Sequence, residues 1–294
     1  ISPLKKEFES AVFAEECRLR RGVFATLSLS LSLSWNSMSV EAVTQTLLQA
    51  RARAELADAQ PLAGSLSSPE DAYAVQQAVA RELGWFAAGA PRAWKSGGPQ
   101  RGAALTHAPL PPAGVWSSPA RAGDWPLHTR GIEAEIALRL GQDVSVAQAW
   151  QLKAGECASL VDAMAVSIEV VESRWQQQFA APPPLLMADQ LCHGALVLGE
   201  WQPCDLAGAA PDWSTQVCRL RLGGGKTSVH TGTHSLGDPA WLLADWLRHA
   251  TMAYGTLAAG TVVTTGSWVG LALAQAGDSV HVQFDGIGEA WLQL

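Results

Sequence analysis

Three glutamates define the chemistry that this sequence could perform. Glu133 and Glu135 stand two residues apart in "RGIEAEIALRL", residues 130–140, and Glu169 interrupts the apolar run of "AMAVSIEVVESRW", residues 163–175. Read with a period of two, Ile132, Ala134, Ile136 and Leu138 fall on one face of the first segment, and Glu133, Glu135, Ala137 and Arg139 on the other. In the second segment Glu169 and Val171 lie opposite Ile168 and Val170. One acid pair on a strand face is an ordinary solvated face, but a further glutamate among β-branched residues is costly to bury unpaired. Alternate strand residues lie roughly 6.5–7 Å apart at Cα, which lets long Glu side chains converge on one ion. Oxygen-only ligation with positions left for water or substrate suits Mg²⁺ or Mn²⁺, whereas zinc favours His and Cys.

Charge counting extends the argument. Three carboxylates and one divalent ion leave a net negative charge, which is unfavourable for an anionic substrate unless a cation stands nearby. Lys95 in "RAWKSGG" is the best candidate; Ser96, Gly97 and Gly98 behind it form a turn whose backbone N–H groups can approach a ligand closely.

The elements that must position these groups are legible in outline. Residues 69–83 form a helix with Ser68 as N-cap, Pro69 at its first position, Glu70 and Asp71 in its first turn and Gly84 as terminator. A second helix is expected over about 145–160. A third follows Asp238-Pro239, with Leu242, Leu243, Trp246 and Leu247 on its buried side. Strands are expected at 132–140, 164–171, 194–198, 216–222, 261–265 and 279–284, separated by Gly, Pro and Asp turns.

The 294 residues and 48% hydrophobic content allow a sizeable core. Charged residues make up 16%, against about 25% in typical soluble proteins, and there are 13 tryptophans, a balance that fits burial of surface against further subunits. A net charge of −7 without a basic stripe argues against nucleic-acid and anionic-membrane binding. No apolar run reaches the length of a membrane span. The cysteines Cys17, Cys157, Cys192, Cys204 and Cys218 are odd in number and widely spaced, as free thiols in a reducing, cytoplasmic setting would be. The first 37 residues, with "LSLSLSLS" at 27–34, make a poor signal peptide, and Met38 reads as a natural start with Ser39 able to cap a helix. Residues 1–37 are therefore expected to be a disordered or artificial extension without a functional role.

Two further patterns carry little. "GGGKT" at 223–227 lacks the first glycine of a phosphate-binding loop, Leu220 standing in its place, and reads as a hairpin turn between "CRLRL" and "SVHTG". His230 and His234 are four apart, but Gly232 disfavours the helix that would make them a zinc pair. His193, next to Cys192, reads as a hydrogen-bonded structural histidine or a proton carrier.

Taken together, "GIEAEIALRL", "SIEVVESRW", "ADQLCHGALVLG", "GDPAWLLADWL", "GTLAAGTVVTTGS" and the ending "AGDSVHVQFDGIGEAWLQL" resemble the fumarylacetoacetate hydrolase superfamily. The similarity is to its 2-keto-4-pentenoate hydratase and 2-oxo-3-hexenedioate decarboxylase branch, and it runs from about Met38 to Leu294. The resemblance implies an α+β fold, a mixed, mostly β roll of the family's C-terminal-domain type with flanking helices. It implies one hydratase-like catalytic domain over 38–294, helical over about 38–90, and homo-oligomers. By position, Glu133, Glu135 and Glu169 match the family's metal ligands for Mg²⁺ or Mn²⁺, and Lys95 matches its catalytic lysine. Ser96 lies in the turn that follows, and Thr265, Gly266 and Ser267 resemble a substrate-side loop.

There are departures. The family's "V-D-S-R" reads Val171-Glu172-Ser173-Arg174, its "D-N-A-S" reads Asp189-Gln190-Leu191-Cys192, and an acidic loop is replaced by the proline-rich "HAPLPPAGVW". The leading expectation is a divalent-metal-dependent hydratase acting on 2-hydroxy-alka-2,4-dienoates, a lyase of aromatic-compound catabolism. The same metal site would serve a 2-oxo-3-enedioate decarboxylase or an acylpyruvate C–C hydrolase. The changes at 190–193 and 107–116 also admit a non-catalytic metal-binding subunit, the partner of a decarboxylase. In every case the ligand is a small 2-oxo or 2-hydroxy acid.

Overall fold

The two acid-bearing segments become adjacent antiparallel strands. Strands β1 (Ala93–Gly97), β2 (Thr106–Pro109), β3 (Val115–Ser117), β4 (Ala120–Arg121), β5 (Gly131–Leu140), β6 (Val161–Val171) and β7 (His193–Leu198) run through the first part of the chain. They are followed by β8 (Gln202–Pro203), β9 (Val217–Leu222), β10 (Ser228–Thr231), β11 (Val262–Thr264), β12 (Ala272–Leu273), β13 (Ser279–Phe284) and β14 (Gly288–Gln293). The computed structural model describes residues 38–294, so the expected N-terminal extension lies outside the described residues.

One sheet has the order β2-β1-β11-β5-β6-β7-β3, with β12 against β5 and β8 against β6; the second is β10-β9-β13-β14-β4. Most neighbours are antiparallel, and β1–β11, β3–β7 and β4–β14 are parallel. Alternation divides the faces of the large sheet. Trp94, Val263, Leu138 and Met164 pair across four strands on one side and join the main core. That core also takes Ile132, Ile136 and Ile168 from the large sheet and Val280, Val282 and Phe284 from the second. The other face carries Lys95, Thr264, Glu133, Glu135, Ser167 and Glu169. Burying the apolar face therefore fixes the direction of the acids.

Helices flank the sheets: α1 (38–53), α2 (Pro69–Glu82), α3 (Val146–Gln151), α4 (Pro183–Ala188) and α5 (Leu243–Tyr254). Helix α2 starts as the sequence indicates, in a capping box where Ser68 accepts from the Asp71 N–H and the Asp71 side chain accepts in return. Its Val75 and Val79 pack with Val43 and Leu47 of α1 and Leu185 of α4 in a second core. A 3-10 turn over Pro239–Leu242 leads into α5, and Leu242, Leu243, Trp246 and Leu247 are all buried.

Two local expectations are corrected. The helix at 145–160 ends at Gln151, because Lys153, Gly155 and Glu156 stay exposed and give it no apolar face to bury; only a 3-10 turn returns at Ala158–Leu160. Ser39 does not cap α1, since residue 38 is already helical. Among the described residues no helix is long and apolar enough to cross a membrane.

Candidate metal centre

The register of β5 against β6 builds the centre. Glu133 pairs with Glu169 directly across the strands and Glu135 pairs with Ser167, so the three carboxylates share one patch. One oxygen from each lies within 4.8 Å of the others. Glu169 is fully buried, Glu135 is 2% exposed and Glu133 is half-buried.

Each acid is held differently. Glu135 Oε2 accepts from the Thr264 hydroxyl and from the Gly266 N–H at 3.0 Å. Thr264 Oγ1 in turn lies 3.0 Å from Ser167 Oγ, which completes a hydroxyl relay beneath the carboxylate. Glu169 Oε1 accepts from Lys95 Nζ at 2.5 Å and lies 3.4 Å from His193 Nδ1, whereas Glu169 Oε2 is buried with no hydrogen-bond partner. Lys95 Nζ also donates to the Leu191 carbonyl at 3.0 Å.

Crowding governs the protonation of this cluster. Burial, opposed by Lys95 and reinforced by Glu169, pushes the Glu133 carboxyl up to about 7. Burial and the charges of Glu169 and Glu133 push Glu135 up to about 8. Burial also acts upward on Glu169, but the Lys95 ammonium and the His193 contact outweigh it and hold this acid below the ordinary carboxylate range. For Lys95 burial acts downward, and the surrounding acids overcome it, so the ammonium is more firmly protonated than a free lysine. Two of three acids thus resist ionisation where no additional positive charge is supplied.

A divalent cation fits this arrangement. The donors are all carboxylate oxygens, the preference of hard cations, and the orphaned Glu169 Oε2 is the kind of buried acceptor that otherwise calls for an explanation. With Lys95, the three acids carry two net negative charges, which one divalent ion balances.

The other sequence-derived site residues fall into two groups. Gly266 contributes its N–H to Glu135 from a positive φ of 106° that suits glycine, and Ser267 lines the same cavity with its hydroxyl bonded to the Gly270 carbonyl. Thr265 turns to the opposite face and donates to the Ile136 carbonyl. Ser96 borders the cavity, but its hydroxyl lies 2.8 Å from His107 Nδ1. Thr264, absent from the sequence-based set, is the threonine that supports a candidate ligand; strand alternation would have placed it beside Gly266 rather than Thr265. Leu191, Thr106 and Ser235 also line the cavity without having been singled out for it.

The departures and decoys acquire definite roles. Glu172 accepts from the backbone N–H groups of His128, Thr129 and Arg130, at 2.7–3.3 Å, and so anchors that loop. Asp189 binds Arg174 Nε at 2.7 Å and Arg51 of α1 at 3.0 Å. Gln190, Leu191 and Cys192 form a left-handed turn with φ of 50°, 53° and 59°, a geometry costing about 1–2 kcal/mol per residue, and this turn aims the Leu191 carbonyl at Lys95. Burial pushes the Cys192 thiol up to about 12, which rules it out as a ready nucleophile. His234 Nε2 donates to the Thr265 carbonyl at 2.9 Å and braces the Gly266 loop, while His230 sits on the β9–β10 hairpin.

Comparison with known proteins gives a consistent result. The family described as fumarylacetoacetate (FAA) hydrolase C-terminal matches residues 92–293. No curated protein sequence gives a match. A solved structure of 4-oxalocrotonate decarboxylase from Pseudomonas putida G7, complexed with magnesium and adipate, superposes with a TM-score of 0.70 at 18% identity, covering 87% of this chain and 97% of that one. The same enzyme complexed with calcium and acetate gives 0.69 at 18% identity and the same coverage. The structure of Cg1458 gives 0.51 at 20% identity, covering 68% of this chain and 74% of that one. These likenesses establish the mixed β roll.

Proposed function

This chain belongs to the fumarylacetoacetate hydrolase family, and on that premise we propose that it is a divalent-metal-dependent hydratase of 2-hydroxy-alka-2,4-dienoates. The observation that carries the reading is the meeting of Glu133, Glu135 and Glu169 beside Lys95, with Glu169 Oε2 left unpartnered. Glu133, Glu135 and Glu169 would hold Mg²⁺ or Mn²⁺, the former present with the decarboxylase relative. The ion would supply Lewis-acid stabilisation to the C1 carboxylate and C2 oxygen of the substrate.

The chain's own residues do the rest. Lys95 keeps a positive charge at the inner end of the cavity, where it offsets charge that develops on the substrate oxygens. Thr264 and Gly266 fix the Glu135 carboxylate, so that its orientation does not change as charge moves. Thr106, Ser235 and Ser267 line the same cavity.

Among the described residues Lys95 is the sole cationic side chain lining this cavity of about 380 Å³, and Glu169 already engages it. A second carboxylate on a 2-oxo-enedioate would find no further cation among the described residues that line the cavity. Decarboxylation and acylpyruvate hydrolysis would draw on the same stabilised C2 oxygen. A substrate panel separates the readings: water uptake without CO₂ supports the hydratase, whereas CO₂ release or formation of two acids replaces it. Metal binding with no turnover of any member would instead support a non-catalytic subunit.

A further inference from the structure

The metal cavity has a neighbour. A second cavity, of about 440 Å³, shares Thr106 and Leu191 with it, so these two half-buried residues stand between the two spaces. Beyond them the lining changes character. Pro69 at the start of α2 and Pro183, Pro184, Leu186 and Met187 of α4 form the walls, and among the described residues none that lines it carries a charge.

The hydroxyls of its Ser67 and Ser68 are already committed. Ser67 Oγ donates to Asp71 Oδ2 at 2.8 Å, and Ser68 Oγ accepts from the Asp71 N–H at 3.3 Å. Asp71 therefore places a negative charge just outside the cavity, which disfavours an anionic group there. A carboxylate-lined metal cavity that adjoins a neutral, proline-walled space at Thr106 and Leu191 is suited to a ligand with one acidic head and one apolar tail.

We infer that the second cavity receives the distal tail of the substrate, and that this chain prefers 2-oxo or 2-hydroxy acids extended by an uncharged alkyl or aryl group. The inference rests on the metal cavity holding the 2-oxo acid head. The rigid, preformed walls require little ordering on binding, so affinity should follow the apolar area buried, about fourfold per added methylene.

The test uses Mg²⁺-loaded full-length protein titrated calorimetrically with 2-oxobutanoate, 2-oxopentanoate, 2-oxohexanoate and 2-oxooctanoate, followed by turnover of dienoates with matching tails. The expected result is a stepwise gain in affinity along the saturated series. Met187→Trp should cancel that gain while leaving 2-oxobutanoate binding unchanged. Equal affinity along the series, or no binding by any member, overturns the inference, and the wild-type series decides this even if the variant fails to fold. A tail-dependent gain without hydration of any dienoate keeps the inference and removes the hydratase reading. Preference for an acid with a terminal carboxylate over the alkyl acid of equal length also overturns it.

Discussion

Lys95 Nζ lies 2.5 Å from Glu169 Oε1, inside the cluster of acids and within hydrogen-bonding distance of the Leu191 carbonyl. The ammonium is thereby fixed between a strand and a strained turn, 14% exposed, with its charge assured by its neighbours. It lowers the cost of gathering three carboxylates before any ion is present, and it remains as the positive charge nearest the candidate substrate space.

Replacing Lys95 by Met should separate these two functions. Loss of an oriented cation that stabilises developing charge should lower kcat by about 10²–10³. Mg²⁺ should bind at least as tightly as before, because a competing positive charge has gone. Equilibrium metal titration alongside steady-state kinetics checks this; unchanged kcat would remove Lys95 from the proposed mechanism.

Metal binding should release protons and weaken in acid. With Glu133 near 7 and Glu135 near 8 before the ion enters, neutral solution leaves these acids partly protonated, and Mg²⁺ must displace those protons. Affinity should therefore fall as pH is lowered from 8 to 6 and level off above 8. Calorimetry in buffers of different ionisation enthalpy measures the proton release directly. In Glu135→Gln that release should shrink and Mg²⁺-dependent turnover should vanish.

The adjacent threonines should differ in what the same change does to metal affinity. Thr264→Val removes the hydroxyl that orients Glu135 and should weaken Mg²⁺ binding by about 10–100-fold. Thr265→Val removes a buried bond to the Ile136 carbonyl and should cost about 1–3 kcal/mol of stability, with metal affinity kept. Thermal melts and metal titrations of the pair provide the comparison.

What the sequence disclosed and what it withheld follow from the range of the forces involved. The direction of Glu133, Glu135 and Glu169 is set by the apolar residues alternating with them, so it was readable locally, as was the capped start of α2 at Ser68. The pairing of Glu133 with Glu169 is a matter of register between strands, which the alternation restricts but does not number. Lys95 lies on a short strand that reaches β5 through β11, from the far end of the chain, so its contact with Glu169 has no local signature. The confusion of Thr265 with Thr264 is a one-residue error in a period of two, and it inverts the face. The left-handed turn at Gln190–Cys192 escaped notice because it contains no glycine, the usual sign of positive φ; tertiary bonds from Asp189 to Arg174 and Arg51 hold it in place of a local preference.

Acid sensitivity should arise at two histidines whose rings pack against each other at a tilt. The rings of His107 and His249 lie 4.9 Å apart beside Trp94 and Tyr73. Burial, helped by repulsion from His249, lowers His107 to about 3, and burial lowers His249 to about 4. Both pKa values are depressed on folding, so the unfolded chain binds protons first. The stability contributed by these neutral rings is complete above about 6.5, the unfolded value, and is lost as pH falls toward 4 and 3. Melting temperature should decline over that window, and His249→Phe, which keeps a ring against Tyr73 and cannot take up a proton, should flatten the decline. An unchanged slope in that variant would place the acid-sensitive group elsewhere.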